Sequence, residues 1–181
     1  MAMVGLFWIA EGDVYVGAKP SGLAPGVRLT PEGVAALGDR QSAFWPWADV
    51  HTLTIDDVPV KSFKRHVGVA VDLVLTVGLG GPDEAPTMTV RIGGATGETE
   101  LTAYTAAAVG YSATEYDLSR ALLGRLTQGA ATLLTTLSAM AEWGRRHEGG
   151  SPRAAAREAL LREWLAVADA TGPAPGAPSG R

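Results

Sequence analysis

Side chains that can act as nucleophiles, bases or metal ligands are present in this chain, but their spacing matches no common catalytic or metal-binding motif. Ser21 lies between Pro20 and Gly22 in a loop with no helix after it, so the strand-turn-helix that exposes a catalytic serine is missing. Asp56 and Asp57 are adjacent, and in a strand they point to opposite faces, so they form no carboxylate pair. The three histidines stand far apart, at His51, His66 and His147. We therefore expect a non-enzyme without metal or cofactor, and an enzyme whose pocket is assembled only by the fold is the least favoured alternative.

One short segment concentrates positive charge. Lys61, Lys64, Arg65 and His66 lie together in a loop before a predicted strand. Such a cluster can bind a phosphate, an anionic lipid headgroup or an acidic partner. The alternative is a solvated loop at the end of a sheet, and we favour it because the chain has a net charge of −4, which leaves only a modest local positive potential.

Three tryptophans are candidates for a partner surface, because tryptophan is enriched at the energetic centres of interfaces. Trp45 and Trp47 flank Pro46 in a predicted turn. They pack on the core in one interpretation and contact a partner in the other, and we favour packing for Trp47. Trp164 lies on the apolar stripe of a predicted C-terminal helix. That stripe has to be buried against this chain, a second copy or another protein.

Length and composition indicate one globular domain. The chain has 181 residues, is 46% hydrophobic and 19% charged, and contains no cysteine, which excludes thiol catalysis and thiolate metal sites. No segment has the strong basic excess of a nucleic-acid-binding surface. The apolar start at residues 1–10 is about half the length of a spanning helix. We expect a cytoplasmic location, and we do not favour binding to a membrane surface.

The longest alternating pattern covers residues 66–78, where every odd position from Val67 to Val77 is apolar. This pattern predicts a long strand with one buried face, around which the other elements are arranged. Shorter strands are predicted at residues 5–10, 13–17, 27–29, 51–56, 87–92 and 98–103. The pair Glu11-Gly12 favours an antiparallel hairpin between the first two. Thr30-Pro31-Glu32 predicts a brief helix that ends near Gly38.

The C-terminal third has the periodicity of helices. Ser112 and Glu115 have the spacing of a capping box. Apolar residues then recur every 3.6 to 3.7 residues or so as far as Met140, which fits one long helix or two helices broken near Gly129. Ser151-Pro152 predicts the start of another helix. The Pro/Gly/Ala-rich residues 171–181 predict a disordered tail.

A meander of about seven strands followed by an amphipathic helix resembles the pleckstrin-homology-like (PH-like) superfold. Residues 27–34 (VRLTPEGV) add to the resemblance, and residues 47–50 (WADV) are similar to a turn of bacterial members. The resemblance covers residues 5–128 and implies an α+β fold, a partly closed antiparallel seven-stranded barrel with a helix across one end. We expect this barrel over 1–128, a helical extension over 129–170 and a disordered tail. The acidic loop at residues 11–13 departs from the basic loop of lipid-binding members.

These observations favour a non-catalytic interaction or regulatory module that binds a protein partner or self-associates. The exposed strand edge, the Trp45–Trp47 turn and the helical tail are the predicted contact regions. The alternative function is peripheral binding of an anionic lipid or another anionic ligand through the loop from Lys61 to Arg65.

Overall fold

A computed structural model of the chain describes residues 1–61 and 86–172. These residues form two antiparallel sheets followed by three helices, so the predicted α+β class is confirmed. The first sheet contains, in chain order, β1 (Ala2–Val4), β2 (Phe7–Ala10), β3 (Asp13–Val16), β4 (Gly26–Leu29), β5 (Gly33–Leu37) and β6 (Ala43–Pro46). The second contains β7 (Thr52–Asp56), β8 (Thr87–Gly94) and β9 (Gly97–Tyr104). The helices are α1 (Ala113–Leu126), α2 (Ala130–Arg146) and α3 (Ala154–Thr171).

Tight turns join the first strands of the meander. Ala10 pairs with Asp13, so only Glu11 and Gly12 form the loop between β2 and β3. Both loop residues have positive φ, 57° and 93°, which is the conformation that matches the right-handed twist of a hairpin. The predicted hairpin is therefore confirmed.

One hydrophobic core connects all of these elements. Alternate residues of the six-stranded sheet, among them Ile9, Val16 and Val27, are fully buried. They join the buried face of the second sheet and the apolar sides of the helices in a single cluster. Helix α2 packs against β2 and β3, α3 against β1, and α1 against β7. The cluster is therefore continuous across residue 128, where the helical extension was predicted to begin.

The predicted seven-stranded barrel is wrong for the residues that the structure describes, because their strands form two sheets that are not closed into a barrel. The brief helix predicted from Thr30 is also wrong, because a hairpin between β4 and β5 takes its place. The Thr30 hydroxyl accepts from the Gly33 amide at 3.1 Å and donates to the Gly33 carbonyl at 3.0 Å. A threonine hydroxyl can cap a helix, but here its two hydrogen bonds to the Gly33 backbone close a hairpin turn. The chain then continues as β5.

Strand β6 replaces the predicted turn at Trp45 and Pro46. Proline lacks the amide that a central strand needs, but an edge strand tolerates it. Pro46 lies on β6, the last strand of the six-stranded sheet in the described part of the chain. The expected turn follows one residue later, as a single 3₁₀ turn over Trp47–Asp49.

The helical region confirms the capping box and resolves the alternative at Gly129. The Ser112 side chain accepts from the Glu115 amide at 3.1 Å, and the Glu115 carboxylate accepts from the Ser112 amide at 3.2 Å. Gly129 has φ of 149° and separates α1 from α2, so the periodic stripe belongs to two helices. The predicted cap Ser151 does not start α3, and its hydroxyl instead accepts from the Met3 amide at 2.9 Å.

The predicted long strand at residues 66–78 lies outside the described residues, as does the tail from residue 173 onward. Within the described ranges, 1–61 and 86–172, none of the helices has both the length and the apolar character needed to cross a membrane.

Candidate interaction surface

Of the predicted basic cluster, the structure describes only the first residue, Lys61. Lys61 is exposed, and its amide donates to the Tyr111 carbonyl at 2.8 Å. This bond fixes the start of the loop beside the N-terminus of α1. Lys64, Arg65 and His66 lie outside the described residues. Anion binding by this cluster therefore stays a prediction.

Trp164 is buried, so its prediction as a partner-surface residue is corrected. Only 2% of its surface is exposed. Its ring meets Trp143 of α2 edge-on, with the ring centroids 5.8 Å apart. The apolar stripe of α3 is buried within the same chain, because α3 packs on α1, α2 and β1.

The other two tryptophans fix the end of the six-stranded sheet. Trp47 is half-buried, and its indole Nε1 donates to the Thr30 carbonyl at 2.7 Å. Trp45 is also half-buried and, like Trp47, packs against the core cluster. Both side chains therefore brace β6 and the turn after it, as the packing interpretation proposed for Trp47.

Phe44 is the aromatic residue of this segment that reaches solvent, and the sequence analysis did not single it out. Half of its surface, 50%, is exposed. Successive strand residues point to opposite faces, so the packing of Trp45 against the core turns its neighbour Phe44 outward. The alternation was readable from the sequence, but the assignment of this segment as a turn concealed it.

The outward-pointing backbone groups of β6 follow from the register. Gly33 pairs with Pro46, and the Trp47 amide donates to the Glu32 carbonyl at 3.3 Å. In an antiparallel pair the hydrogen-bonding direction alternates along each strand. Residues 43, 45 and 47 therefore bond towards β5, whereas Ser42, Phe44 and Pro46 direct their backbone groups away from the sheet.

In the described part of the chain no strand pairs with the outer edge of β6, and this edge is uncharged and only partly blocked. Residues 41–48 (QSAFWPWA) contain no ionisable side chain. Residues 42–44 and Pro46 are exposed. Pro46 offers a carbonyl but no amide, which limits pairing at that end. The edge can thus pair with a short extended segment centred on Phe44, where both backbone groups are available.

Phe44 also ends a row of side chains across the outer face of the six-stranded sheet. The register places one residue from each of five neighbouring strands opposite the next, namely Trp8, Tyr15, Arg28, Ala35 and Phe44. Burial raises the pKa of the Tyr15 hydroxyl, and the nearby charge of Asp13 and a hydrogen bond to its carboxylate add to this effect. The row is largely apolar, and the exposed part of it is the edge at Phe44.

A second surface feature is a groove between α1 and β7. It has a volume of about 270 Å³ and is lined by residues that include Leu53, Ile55, Arg120 and Gly124. Among the described residues that line the groove, Arg120 is the one with an ionisable side chain, so they include no acid-base pair. In the described part of the chain no group of three His, Asp or Glu residues could hold a metal ion.

One buried ion pair joins α1 to α3. The Arg157 guanidinium donates to the Glu115 carboxylate, whose side chain is 3% exposed. Burial alone would raise the pKa of Glu115, but the hydrogen bond and charge of Arg157 and the amide of Ser112 together hold the pKa below its ordinary value. Because the carboxylate also completes the capping box, we assign this pair to the stability of the fold.

Comparisons of the chain with protein-family models, with curated proteins and with solved structures find no match.

Proposed function

We propose that this chain is a non-catalytic protein-interaction module whose binding surface is the edge of β6, with Phe44 at its centre. The observation that carries the proposal is an aromatic, uncharged and exposed strand edge, braced from behind by Trp45 and Trp47. An extended segment that adds to such an edge gains main-chain hydrogen bonds, and a neighbouring side-chain pocket or anchor gives specificity.

The resemblance to bacterial PH-like domains stays a prediction, and the two open sheets depart from the barrel that it implies. Fold alone transfers no function, so the proposal depends on the edge. The cytoplasmic location stays a prediction.

Photo-crosslinking in living cells tests the proposal directly. A benzoylphenylalanine introduced at position 44 of the full-length chain reacts with whatever lies on the β6 edge. We expect a discrete covalent adduct with a protein, seen as a sharp band of higher mass. The control carries the same amino acid at position 134, because Leu134 on α2 is similarly exposed, at 45%.

An adduct specific to position 44 supports the proposal. Equal, diffuse labelling at positions 44 and 134 would contradict it, since a solvated edge without a partner captures molecules only by collision.

A further inference from the structure

The four sheet edges differ in what they offer a partner. Among the described residues, α3 packs against β1 and α1 packs against β7. On β9, the side chain of Gln41 binds the backbone of Thr102 through both its amide nitrogen and its oxygen, at 2.8 and 2.9 Å. The remaining outer part of β9 carries exposed Glu98 and Glu100. Of the sheet edges that the described residues form, the β6 edge alone is exposed and free of charged side chains.

We propose that the partner of the β6 edge is a second copy of this chain, paired antiparallel about a two-fold axis at Phe44. This inference rests on the proposed function and names its partner. Each copy has a net charge of −4, so two copies repel one another at most surfaces. The uncharged segment 41–48 is a place where they can meet without opposing like charges, whereas pairing through β9 would bring glutamates together.

The backbone geometry allows this symmetric pairing and sets its register. The N–H and C=O groups of Phe44 point away from β5 and must bond to the same groups of the partner strand. A two-fold axis at this residue therefore places Phe44 opposite Phe44 of the second copy. Ser42 then lies opposite Pro46, and each Ser42 amide donates to a Pro46 carbonyl. The pairing forms about four main-chain hydrogen bonds rather than the six of a strand without proline. The side chains of the two Phe44 residues become cross-strand neighbours on the outer face.

Pro46 and the shortness of β6 limit the strength of this dimer. A four-residue strand gives an interface in the range of weak, transient complexes. We therefore expect the dimeric fraction to rise with protein concentration. It should also rise with added salt, because salt screens the repulsion between two acidic chains.

The lack of cysteine in the chain permits a clean crosslinking test. Residues opposite one another in a hydrogen-bonded antiparallel pair have Cα atoms about 5.5 Å apart, which is within the roughly 4.4–6.8 Å range of disulfides. We expect purified full-length Phe44→Cys to form a disulfide dimer about tenfold faster than Leu134→Cys, because pairing raises the local thiol concentration. Equal rates for the two variants would overturn the inference.

Charge reversal at the two-fold axis provides the second test. Phe44→Glu and Phe44→Lys each place like charges opposite one another, so each variant alone should sediment as a monomer at concentrations where the wild type dimerises. An equimolar mixture should regain the dimer, since the charges are then opposite. A mixture that stays monomeric while the wild type dimerises would show that the wild-type dimer uses another surface.

The photo-crosslinking adduct at position 44 separates this inference from the proposed function. An adduct of twice the chain mass supports both. An adduct with a different protein, without a disulfide dimer of Phe44→Cys, overturns the second copy as partner and leaves the β6 edge as the binding surface. No specific adduct overturns both.

Discussion

At the residue scale, the ion pair between Glu115 and Arg157 is the most buried charge interaction that the structure describes. We predict that Glu115→Gln lowers the free energy of unfolding at pH 7 by about 3 kcal/mol, because it leaves the Arg157 guanidinium without its counter-charge. The exposed pair of Glu142 and Arg146 on α2 is the matched control. Glu142→Gln should cost about 0.5 kcal/mol or less. Urea unfolding followed by circular dichroism measures both values.

The same residue predicts a pH dependence. The folded-state pKa of Glu115 is lowered, so its ionisation stabilises the protein above the unfolded-state pKa of about 4.3, and this contribution is lost as pH falls through the folded pKa. The difference in stability between wild type and Glu115→Gln should therefore stay constant from pH 7 to about pH 5 and narrow as pH falls from about 4.3 towards 2. A difference that does not narrow below about pH 4.3 would mean that the carboxylate is not held ionised by Arg157.

Local sequence predicts individual residues well where the interaction is itself local. The capping box of Ser112 and Glu115 spans one helical turn, so its spacing was sufficient to identify it. Phe44 and Trp164 could not be assigned in the same way. Whether an aromatic side chain is exposed or buried depends on which strand lies at the sheet edge and which helices cover the sheet, and distant parts of the chain determine both.

At the element scale, alanine substitutions at two helical glycines distinguish the effect of helix propensity from the effect of packing against the sheet. Gly124 of α1 has open space where a Cβ would lie, whereas a Cβ on Gly144 of α2 would collide with the side chain of Ile9 on β2. Replacing glycine with alanine in a helix normally stabilises it by about 1 kcal/mol. We predict that Gly124→Ala raises the melting temperature and that Gly144→Ala lowers it, because α2 must then move away from β2.

Differential scanning calorimetry of the two variants measures the effect, and each serves as the control of the other. If Gly144→Ala were as stabilising as Gly124→Ala, the close approach of α2 to the sheet would be disproved.

The elements were predicted correctly where periodicity continued over several turns or where a two-residue loop had a distinctive sequence. The helical stripe and the hairpin at Glu11 and Gly12 are examples. The segment from Thr30 was predicted as a helix because threonine, proline and glutamate are favoured at helix starts. The same residues close the turn between β4 and β5, and the choice is made by the pairing of Val34 in the sheet, which is a non-local interaction.

At the scale of the whole molecule, α3 is an integral part of the fold. Leu161, Trp164 and Ala168 are each 2% exposed or less, and they fill the space between α1, α2 and β1. Burying a large apolar side chain stabilises a protein by about 1.5–3 kcal/mol. Loss of these side chains together with Arg157 therefore approaches the total stability of a typical domain, about 5–15 kcal/mol.

We predict that a truncation before Ser151 abolishes cooperative unfolding and exposes apolar surface, rather than releasing a folded domain with a free binding face. Calorimetry should show no sharp transition, and binding of a hydrophobic dye should increase. A truncation after Gly172, which keeps the whole of α3, is the control. If the shorter chain kept a cooperative transition near the wild-type temperature, α3 would be a detachable arm, and its apolar stripe would again be a candidate surface for a partner. Loss of the cooperative transition would show that the stripe of α3 is needed inside the fold, and the proposed binding surface would then be the β6 edge, at the other end of the six-stranded sheet from β1.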